Sequence, residues 1–509
     1  MRANNEARSI RESGALCLHN MRTDYRILCD DCHDDERRRR EECVPRCLRR
    51  AYRICDDCHD DERRRREECV PCCLGRAYRI CDDCHDDERR RREECVPCCL
   101  GRAYRICDDC HDDERRRREE CVPRCLGQAC RGVWAPVVVP AERRIRMTEA
   151  EQYMQQALDL AKTAMGHTSP NPMVGCVVVK NGKTVATGCH ERYGEFHAER
   201  NALTRCKEDL TGADLYVTLE PCCHQGKTPP CTDIIIERKI GRVFVGAMDP
   251  NPKVDGGGIK ILREHGIEVI TGILEQECLA LNEIFFHYIT TGLPYVAMKY
   301  AMTLDGKIAS ANGDSKWVTG EKAREHVHFL RKKYSAILAG IDTVLADDPL
   351  LNCRTEEGVD PIRVICDSHL RLPMDSQIVK TAGKIRTIAA YTNAEEETKK
   401  KLESTGVELL RISEKNGHVD LEKLIRTLGE KKIDSILVEG GGNIHGSLLQ
   451  TGLVNRVYAY IAPKLIGGKN ALSPVGGEGI EKMKDAVVLQ NQEILHLGAD
   501  YCIRGDVVK

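Results

Sequence analysis

A change of composition at about residue 146 limits what this chain can fold into. Twenty of its 30 cysteines lie before Met147, and residues 1–146 contain no lysine and no phenylalanine. From Met147 onward lysine, threonine and phenylalanine are all present, and arginine no longer dominates. We therefore expect two unrelated parts: a Cys/Arg-rich extension over 1–146 that is not stably folded, and a globular remainder of ordinary composition.

The extension is a tandem repeat with a period of 26 residues. The unit CDDCHDDERRRREECVPCCLGRAYRI begins at Cys29, Cys55, Cys81 and Cys107. Four thiolates from its paired cysteines could bind zinc, and a metal would replace the folding energy that so few apolar side chains provide. Even solvent-type positions are nearly identical between copies, however, which indicates a recent duplication rather than selected packing. We favour an extension without function, and a metal-binding module stays open as the alternative.

Length and charge exclude several classes of protein. The 509 residues carry 78 basic and 80 acidic side chains, so the net charge of −2 gives no reason to expect nucleic-acid or membrane binding. The sequence has no run of 18 apolar residues, and its first twenty residues lack the apolar centre of a secretory signal. We expect a cytoplasmic protein.

The residues after Met147 predict an α/β sandwich. Apolar side chains over 149–166 recur with a helical period, and Gly166 ends that helix. The dipeptide Asn181-Gly182 is the strongest short hairpin signal, because both turn residues need positive φ. Helices and strands then alternate. We predict helices at 197–205, 232–239 and 258–265, and strands at 215–219 and 243–247.

Two short segments on this frame carry metal chemistry. They are H-A-E at 197–199 and P-C-C-H-Q-G-K-T-P-P-C at 221–231. One imidazole and two thiolates make three zinc ligands and leave a fourth position for water, as in a catalytic site. Zinc lowers the pKa of such a water to about 7, and the glutamate of H-A-E is placed to carry its proton to a leaving amine. We predict His197, Cys222 and Cys231 as zinc ligands and Glu199 as the catalytic acid and base.

The spacing of the two cysteines is informative. Zinc deaminases of the H-x-E and P-C-x-x-C type have two residues between them, whereas eight separate Cys222 from Cys231 here. This spacing and the charge of −2 disfavour one alternative, a nucleoside or RNA deaminase with an accessory domain. Cys223 is interpreted as a packing neighbour, because the ligand in the signature directly follows proline.

The combination of H-A-E with T-L-E-P-C-x-H-x-G-K-T-P-P-C resembles the deaminase half of the bifunctional riboflavin-biosynthesis deaminase/reductases. The segments S-P-N-P-M-V-G and M-D-P-N-P match that family as well. The resemblance implies a cytidine-deaminase-like α/β/α domain, which we place at 147–291. It also implies a small phosphorylated substrate, a diaminopyrimidinone carrying a ribosylamino 5′-phosphate. By resemblance, the residues that contact this substrate are Asn171, His224, Lys227, Asp249 and Asn251.

A second α/β domain begins near Gly292. One helix over 274–291 is predicted to end at Thr291-Gly292-Leu293-Pro294, and a buried strand follows. Further strands are predicted at 336–339, 363–366, 387–391, 407–410, 435–438 and 456–461, with helices at 321–333, 396–403, 420–430 and 443–451. A G-x-G-x-x-G fingerprint is absent, but Gly440-Gly441-Gly442 before a helix could let backbone amides approach a phosphate.

This half resembles the reductase domain of the same family through K-Y-A-M-T-L-D-G-K-I-A, G-D-S-K-W-V-T-G, G-I-D-T-V-L-A-D-D-P and V-E-G-G. The resemblance implies a dihydrofolate-reductase-like α/β fold over 292–509 that uses NADPH. It places Ala301, Trp317, Thr319, Thr343, Asp347, Gly441 and Gly442 at the cofactor. It places Lys299, Ser315, Arg331, Leu351, Arg354 and Glu439 at the substrate, where arginine forks suit a ribose phosphate.

We therefore predict a two-step enzyme with Zn²⁺ and NADPH as cofactors, which deaminates a pyrimidine and then reduces its ribosyl group to ribityl. We expect a homo-oligomer that binds no nucleic acid and no membrane. The remaining alternative is a zinc-binding repeat protein with a degenerate enzyme attached. It predicts that a ligand or the glutamate is missing, but His197, Glu199, Cys222 and Cys231 are all present.

Overall fold

The computed structural model describes residues 147–252, 254–356 and 358–508. These residues belong to one unit of the chain, Arg144–Lys509. The predictions for the 26-residue repeats lie outside the described residues.

A five-stranded mixed sheet forms the first half of the described chain, with the strand order β2-β1-β3-β4-β5. The Asn181-Gly182 hairpin joins β1 to β2 as predicted, β3 also pairs antiparallel with β1, and β4 and β5 continue in parallel. The strands are β1 Gly175–Lys180, β2 Lys183–Cys189, β3 Asp214–Leu219, β4 Arg242–Ala247 and β5 Glu268–Thr271.

Helices cover this sheet. The first, α1, begins with a capping box in which Thr148 and Glu151 satisfy each other's backbone N–H groups, and it buries Met154 and Leu158. Side chains such as Val177 and Leu215 are completely buried in the core of the sheet. The helices are α1 Glu149–Thr163, α2 Ala198–Arg205, α3 Cys231–Glu237, α4 Gly257–Glu264, α5 Glu275–Leu281 and α6 Glu283–Thr291.

The prediction of one helix over 274–291 was wrong, because the helix is interrupted at Asn282, between α5 and α6. Asn282 is buried, and its side-chain amide both accepts from the N–H of Met173 at 2.8 Å and donates to the carbonyl of Met173 at 2.9 Å. The apolar period runs on through this position, so the pattern alone does not reveal the break. The hydrogen bonds from Asn282 to Met173 stabilise the non-helical conformation at this position.

A nine-stranded sheet forms the second half, with the order β10-β9-β8-β7-β13-β6-β14-β16-β15. Its strands from β10 to β14 run parallel, and β16 and β15 add an antiparallel edge. The strands are β6 Tyr295–Thr303, β7 Ala336–Gly340, β8 Ile362–Cys366, β9 Thr387–Tyr391, β10 Val407–Arg411, β13 Ser435–Gly440, β14 Val454–Ala462, β15 Leu489–Leu497 and β16 Asp500–Val507, with a separate small ladder of β11 Glu414–Lys415 and β12 His418–Val419.

All strands predicted for this half are present, whereas β11, β12, β15 and β16 were missed. The helices are α7 Glu321–Lys333, α8 Ile341–Asp347, α9 Gln377–Lys380, α10 Glu396–Glu403, α11 Leu421–Glu430 and α12 Gly442–Gln450, with a 3₁₀ turn at Met483–Asp485. Within the described residues, every helix is too short or too polar to cross a lipid bilayer.

Candidate active sites

The first site forms where α2 and α3 begin. His197 directly precedes α2, Cys231 is the first residue of α3, and Cys222 lies in the loop after β3. The Nδ1 atom of His197 is 3.4 Å from the Sγ atom of Cys222 and 3.5 Å from that of Cys231. All three ligand atoms lie within 4.8 Å of one another, and Cys223 is not part of this group. The structure thus brings the three predicted zinc ligands together.

The donor set fits a zinc ion. Zinc binds thiolate sulfur at about 2.3 Å and imidazole nitrogen at about 2.0–2.1 Å, so one ion can bridge atoms at these separations. The hydrogen bond from Cys231, with help from His197, lowers the pKa of the Cys222 thiol to about 4. The backbone N–H of Cys231 also donates to the Cys222 sulfur at 3.4 Å. The protein therefore stabilises a thiolate, the form of cysteine that binds metal.

Glu199 lies in the first turn of α2, and only 3% of its surface is exposed. Burial raises the pKa of Glu199 to about 7, and the charge of Cys222 acts in the same direction. A carboxyl group next to the predicted ligands that holds and releases a proton near neutral pH is chemically suited to general acid and base work.

Asn171 is connected to the metal site through His190, a residue that we did not predict from the sequence. The Asn171 amide nitrogen is 3.1 Å from Nε2 of His190, and Nδ1 of His190 is 3.0 Å from the carbonyl oxygen of Phe196. The ring of His190 is 2% exposed and packs edge-on against His197, with centroids 5.3 Å apart. Its signal in the sequence was a histidine directly after strand β2, close before H-A-E, and this was too weak to assign.

Asp249 and Asn251 share one loop, which Glu220 positions. The buried carboxylate of Glu220 accepts from the backbone N–H groups of Asp249 at 3.4 Å, Gly256 at 3.2 Å and Ile259 at 3.2 Å. Burial raises the pKa of Asp249 to about 6, and its carboxylate accepts from the N–H of Asn251 at 2.9 Å. The glutamate of T-L-E-P-C thus has a structural task that the sequence did not indicate.

His224 and Lys227 lie on the loop between the two cysteine ligands. Among the described residues, the buried Nδ1 atom of His224 has no hydrogen-bond partner. Lys227 is exposed, and its ammonium group lies 3.9 Å from the centroid of the Tyr193 ring. A buried nitrogen that needs a partner and an exposed ammonium suit a polar, anionic ligand.

The second site is centred on Glu439 near the end of β13. Arg331 of α7 forms two hydrogen bonds to the Glu439 carboxylate, at 2.7 and 2.9 Å, and the ammonium of Lys299 on β6 is 3.9 Å away. Burial acts to raise the pKa of Glu439, but the Arg331 fork and the Lys299 charge outweigh it, so the pKa lies below its ordinary value. Burial lowers the pKa of Lys299, and Glu439 opposes that shift.

The loop after α8 brings the other predicted substrate residues to this cluster. Arg331 donates to the carbonyl of Asn352 at 3.0 Å, and Arg354 donates to the Asn352 side chain at 3.2 Å. Leu351 is buried with φ at +48°. The fork of Arg331 is thus directed at Glu439, whereas the side chain of Arg354 is exposed.

The residues predicted at the cofactor flank the glycine run before α12. Gly441 has φ at +82°, and a Cβ atom on Gly440 would lie 2.7 Å from the Thr343 hydroxyl. A Cβ atom on Gly442 would lie 2.8 Å from the carbonyl of Ser473. The Thr343 side chain and the Ser473 backbone thus leave no room for a larger residue at Gly440 and Gly442, and the N-terminus of α12 suits a phosphate group of a dinucleotide such as NADPH.

The remaining predicted residues lie on β6, on α8 and in the loop before α7. Ser315 donates to the Asp347 carboxylate at 3.2 Å, and Thr319 is buried beside α7. The ring of Trp317 is 65% exposed and lies under the Arg324 guanidinium, 4.8 Å away, so it is not a core aromatic. Ala301 lies on β6, two residues after Lys299.

Comparisons with known proteins cover both halves. Residues 147–247 match the family described as the cytidine and deoxycytidylate deaminase zinc-binding region, and residues 294–503 match the RibD C-terminal domain. The riboflavin biosynthesis protein RibD of Actinobacillus pleuropneumoniae is 53% identical over 362 residues, which are 71% of this chain and 96% of that protein. RibD of Escherichia coli is 41% identical over 366 residues, covering 69% and 98%.

Solved structures agree with these matches. A diaminohydroxyphosphoribosylaminopyrimidine deaminase/5-amino-6-(5-phosphoribosylamino)uracil reductase from Thermotoga maritima is 39% identical, with a TM-score of 0.63 over 71% of this chain and 99% of that one. RibD from Acinetobacter baumannii is 36% identical, with a TM-score of 0.64 and the same coverage. The fold is therefore a cytidine-deaminase-like domain followed by a dihydrofolate-reductase-like domain. The chain belongs to the RibD family, the bifunctional deaminase/reductases of riboflavin biosynthesis that use zinc and NADPH.

Proposed function

We propose that residues 147–291 deaminate 2,5-diamino-6-(5-phosphoribosylamino)pyrimidin-4-one and that residues 292–509 reduce the ribosyl group of the product to give 5-amino-6-(5-phosphoribitylamino)uracil. The observation that carries the deaminase assignment is the convergence of His197, Cys222 and Cys231 beside a buried Glu199. Family matches over both halves favour this enzyme over a nucleoside deaminase with an accessory domain. The same proposal makes it a cytoplasmic homo-oligomer that acts on a small molecule.

In the deaminase step, His197, Cys222 and Cys231 would hold a zinc ion, which would supply Lewis-acid activation of a water molecule. Glu199 would take a proton from water as the water oxygen bonds to the ring carbon, and would donate a proton to the exocyclic amine as its C–N bond breaks and ammonia leaves. Asn171 and His224 orient the pyrimidine through hydrogen bonds, and Asp249 and Asn251 contact the ribose. Lys227 offers its exposed charge to the phosphate.

In the reductase step, bound NADPH would supply the hydride that reduces the sugar carbon. The amides at Gly441 and Gly442 would hold its phosphates, and the rest of the cofactor would be lined by Ala301, Trp317, Thr319, Thr343 and Asp347. Arg354 and Ser315 hold the substrate phosphate, and Leu351 packs beside the substrate. Lys299 moves the proton that accompanies opening of the ribose ring. Glu439 fixes Lys299 and Arg331 through the ion pairs described above.

A coupled assay tests both steps. The full chain is incubated with the diaminopyrimidinone substrate, with and without NADPH, while ammonia release and NADPH oxidation are followed. We expect ammonia release in both cases and NADPH oxidation only after deamination. Failure to release ammonia from the zinc-loaded chain would contradict the deaminase assignment, and NADPH oxidation before any ammonia release would contradict the order of the steps.

A further inference from the structure

A buried carboxylate of the reductase half reaches into the deaminase half. Asp434 directly precedes β13 and is 4% exposed. One of its oxygens accepts hydrogen bonds from the hydroxyls of Ser335 at 2.6 Å and Ser435 at 2.9 Å, both within the reductase half. The other oxygen accepts from the hydroxyl of Ser169 at 2.5 Å, across 265 positions of sequence. Asp434 thus joins three hydroxyl groups, two from the reductase half and one from the deaminase half.

Ser169 lies on the segment that carries a predicted substrate residue of the other reaction. This segment, 164–174, links α1 to β1 and includes Asn171 two positions after Ser169. Asn282 anchors its far end through both backbone groups of Met173. Asp434 and Asn282 therefore hold the segment on either side of Asn171, whose amide meets His190 next to the zinc ligand His197.

The segment packs unevenly against the reductase half. A cavity of about 240 Å³ lies between it and the reductase half, lined among others by Ser169, Asn171, Lys332 and Asp434. The segment meets the reductase half directly nearby, where a Cβ atom on Gly166 would lie 2.8 Å from the carbonyl of Lys332. Because the cavity separates the part of the segment around Asn171 from the reductase half, the Ser169–Asp434 hydrogen bond is a direct link between the two at this point.

We propose that Asp434 is a positioning residue for the deaminase reaction: from the reductase half, it fixes through Ser169 the segment that presents Asn171 to the pyrimidine. The inference rests on the proposed function, because it takes Asn171 as a substrate contact. It means that the deaminase site is complete only when the reductase half is folded against it. Asp434 touches neither the substrate nor the zinc ligands.

The test measures deaminase KM and kcat separately from reductase activity in the full-length, zinc-loaded enzyme. Ser169→Ala removes the Ser169–Asp434 hydrogen bond and leaves the other hydrogen bonds between the halves in place, and we expect it to raise the deaminase KM about tenfold with kcat changed much less. Ser169→Thr keeps the hydroxyl and should restore KM. Reduction of pre-deaminated substrate should be unchanged in both variants. Asp434→Asn should raise KM in the same direction as Ser169→Ala. The double variant should be no worse than Asp434→Asn alone, because the two residues share one interaction.

Ser335→Ala is the matched control, because it removes a hydrogen bond to the same carboxylate that stays within the reductase half. It should leave the deaminase KM unchanged. Thermal unfolding of each variant separates repositioning from loss of folded protein. An unchanged KM in Ser169→Ala, or an equal rise in Ser335→Ala, would overturn the inference while the proposed function stands. If the wild-type enzyme releases no ammonia, the proposed function itself fails.

Discussion

Glu199 and Glu439 are both nearly fully buried carboxyl groups in predicted active sites, but their neighbours differ. Glu199 lies beside the Cys222 thiolate, and burial together with that negative charge raises its pKa to about 7. Glu439 lies between Arg331 and Lys299, and these cations hold its pKa below the ordinary value despite burial. Burial alone therefore does not determine the chemical role of a carboxyl group. The first is suited to exchange protons, and the second to remain an anion that orders two cations.

The largest effect is expected from Glu199→Ala. Removing the proton carrier should lower ammonia release by about 10²–10⁴-fold. The reductase site holds its own charges, so NADPH oxidation with pre-deaminated substrate should be retained. Ammonia release and NADPH oxidation are measured on the same preparation, and zinc content is checked to exclude loss of the metal. A variant that keeps both activities would remove Glu199 from the mechanism.

Glu439→Gln tests the opposite role. It leaves two buried cations without their anion, which is expected to cost about 3–5 kcal/mol of unfolding free energy and to reduce NADPH oxidation, with ammonia release retained by the folded enzyme. Urea unfolding and the two activity assays measure these effects.

The chain offers a matched control at its surface. Glu408 forms the same two-bond pair with Arg386, at 2.7 and 3.0 Å, but about half of each side chain is exposed. Glu408→Gln should therefore cost no more than about 1 kcal/mol. Equal costs for the two substitutions would contradict the view that burial makes the Glu439 cluster important.

A pH series should separate the two kinds of carboxyl group by sign. Asp249, in the deaminase half, has its pKa raised from 3.8 to about 6, so its stabilising contribution is fully present below 3.8 and lost as pH rises through 6. Glu439 has its pKa lowered, so its contribution is present above 4.5 and lost as pH falls through its lower folded-state pKa.

In the unsubstituted protein, Asp249 should lower the free energy of unfolding by at most about 3 kcal/mol as pH rises from 4 to 6, and Asp249→Asn should abolish this decrease. Glu439→Gln should instead reduce the loss of stability that occurs below pH 4.5. Chemical unfolding from pH 3.5 to 7 measures both profiles. If the two substitutions change the profile with the same sign, the contrast between the sites is wrong.

The metal site could be predicted from the sequence because its residues lie in two short segments of the chain. His197 and Glu199 are two residues apart, and Cys222 and Cys231 bracket one loop that ends at a helix start, so residue type and spacing define the chemistry. The strands buried in the centre of both sheets were predicted for the same reason, since 243–247 in the first sheet and 336–339 in the second contain no polar side chain.

Long-range contacts explain what was missed. Asn282 interrupts an apolar helix pattern to bind Met173, 109 residues earlier, and Asp434 binds Ser169 across 265 residues. The edge strand β15 is largely exposed along its length, so its sequence lacks the alternation that marks a half-buried strand. His190 is defined by its neighbours Asn171 and His197 in space, which no period in the sequence records.

The smallest effect is expected from deleting residues 1–146. Every residue in the comparison of the two sites lies after Met147, and both family matches, 147–247 and 294–503, lie there as well. A chain of 147–509 should therefore keep kcat and KM of both reactions within about twofold of the full chain, with the same zinc content per deaminase site. Parallel assays and metal analysis of the two chains check this. Zinc in the full chain beyond one ion per chain would instead support the metal-binding interpretation of the repeats, because the cysteine pairs separated by two to four residues all lie in 1–146. A loss of one activity without the other would show that the extension acts on that site alone, and the two sites would then differ in a way that their own residues do not explain.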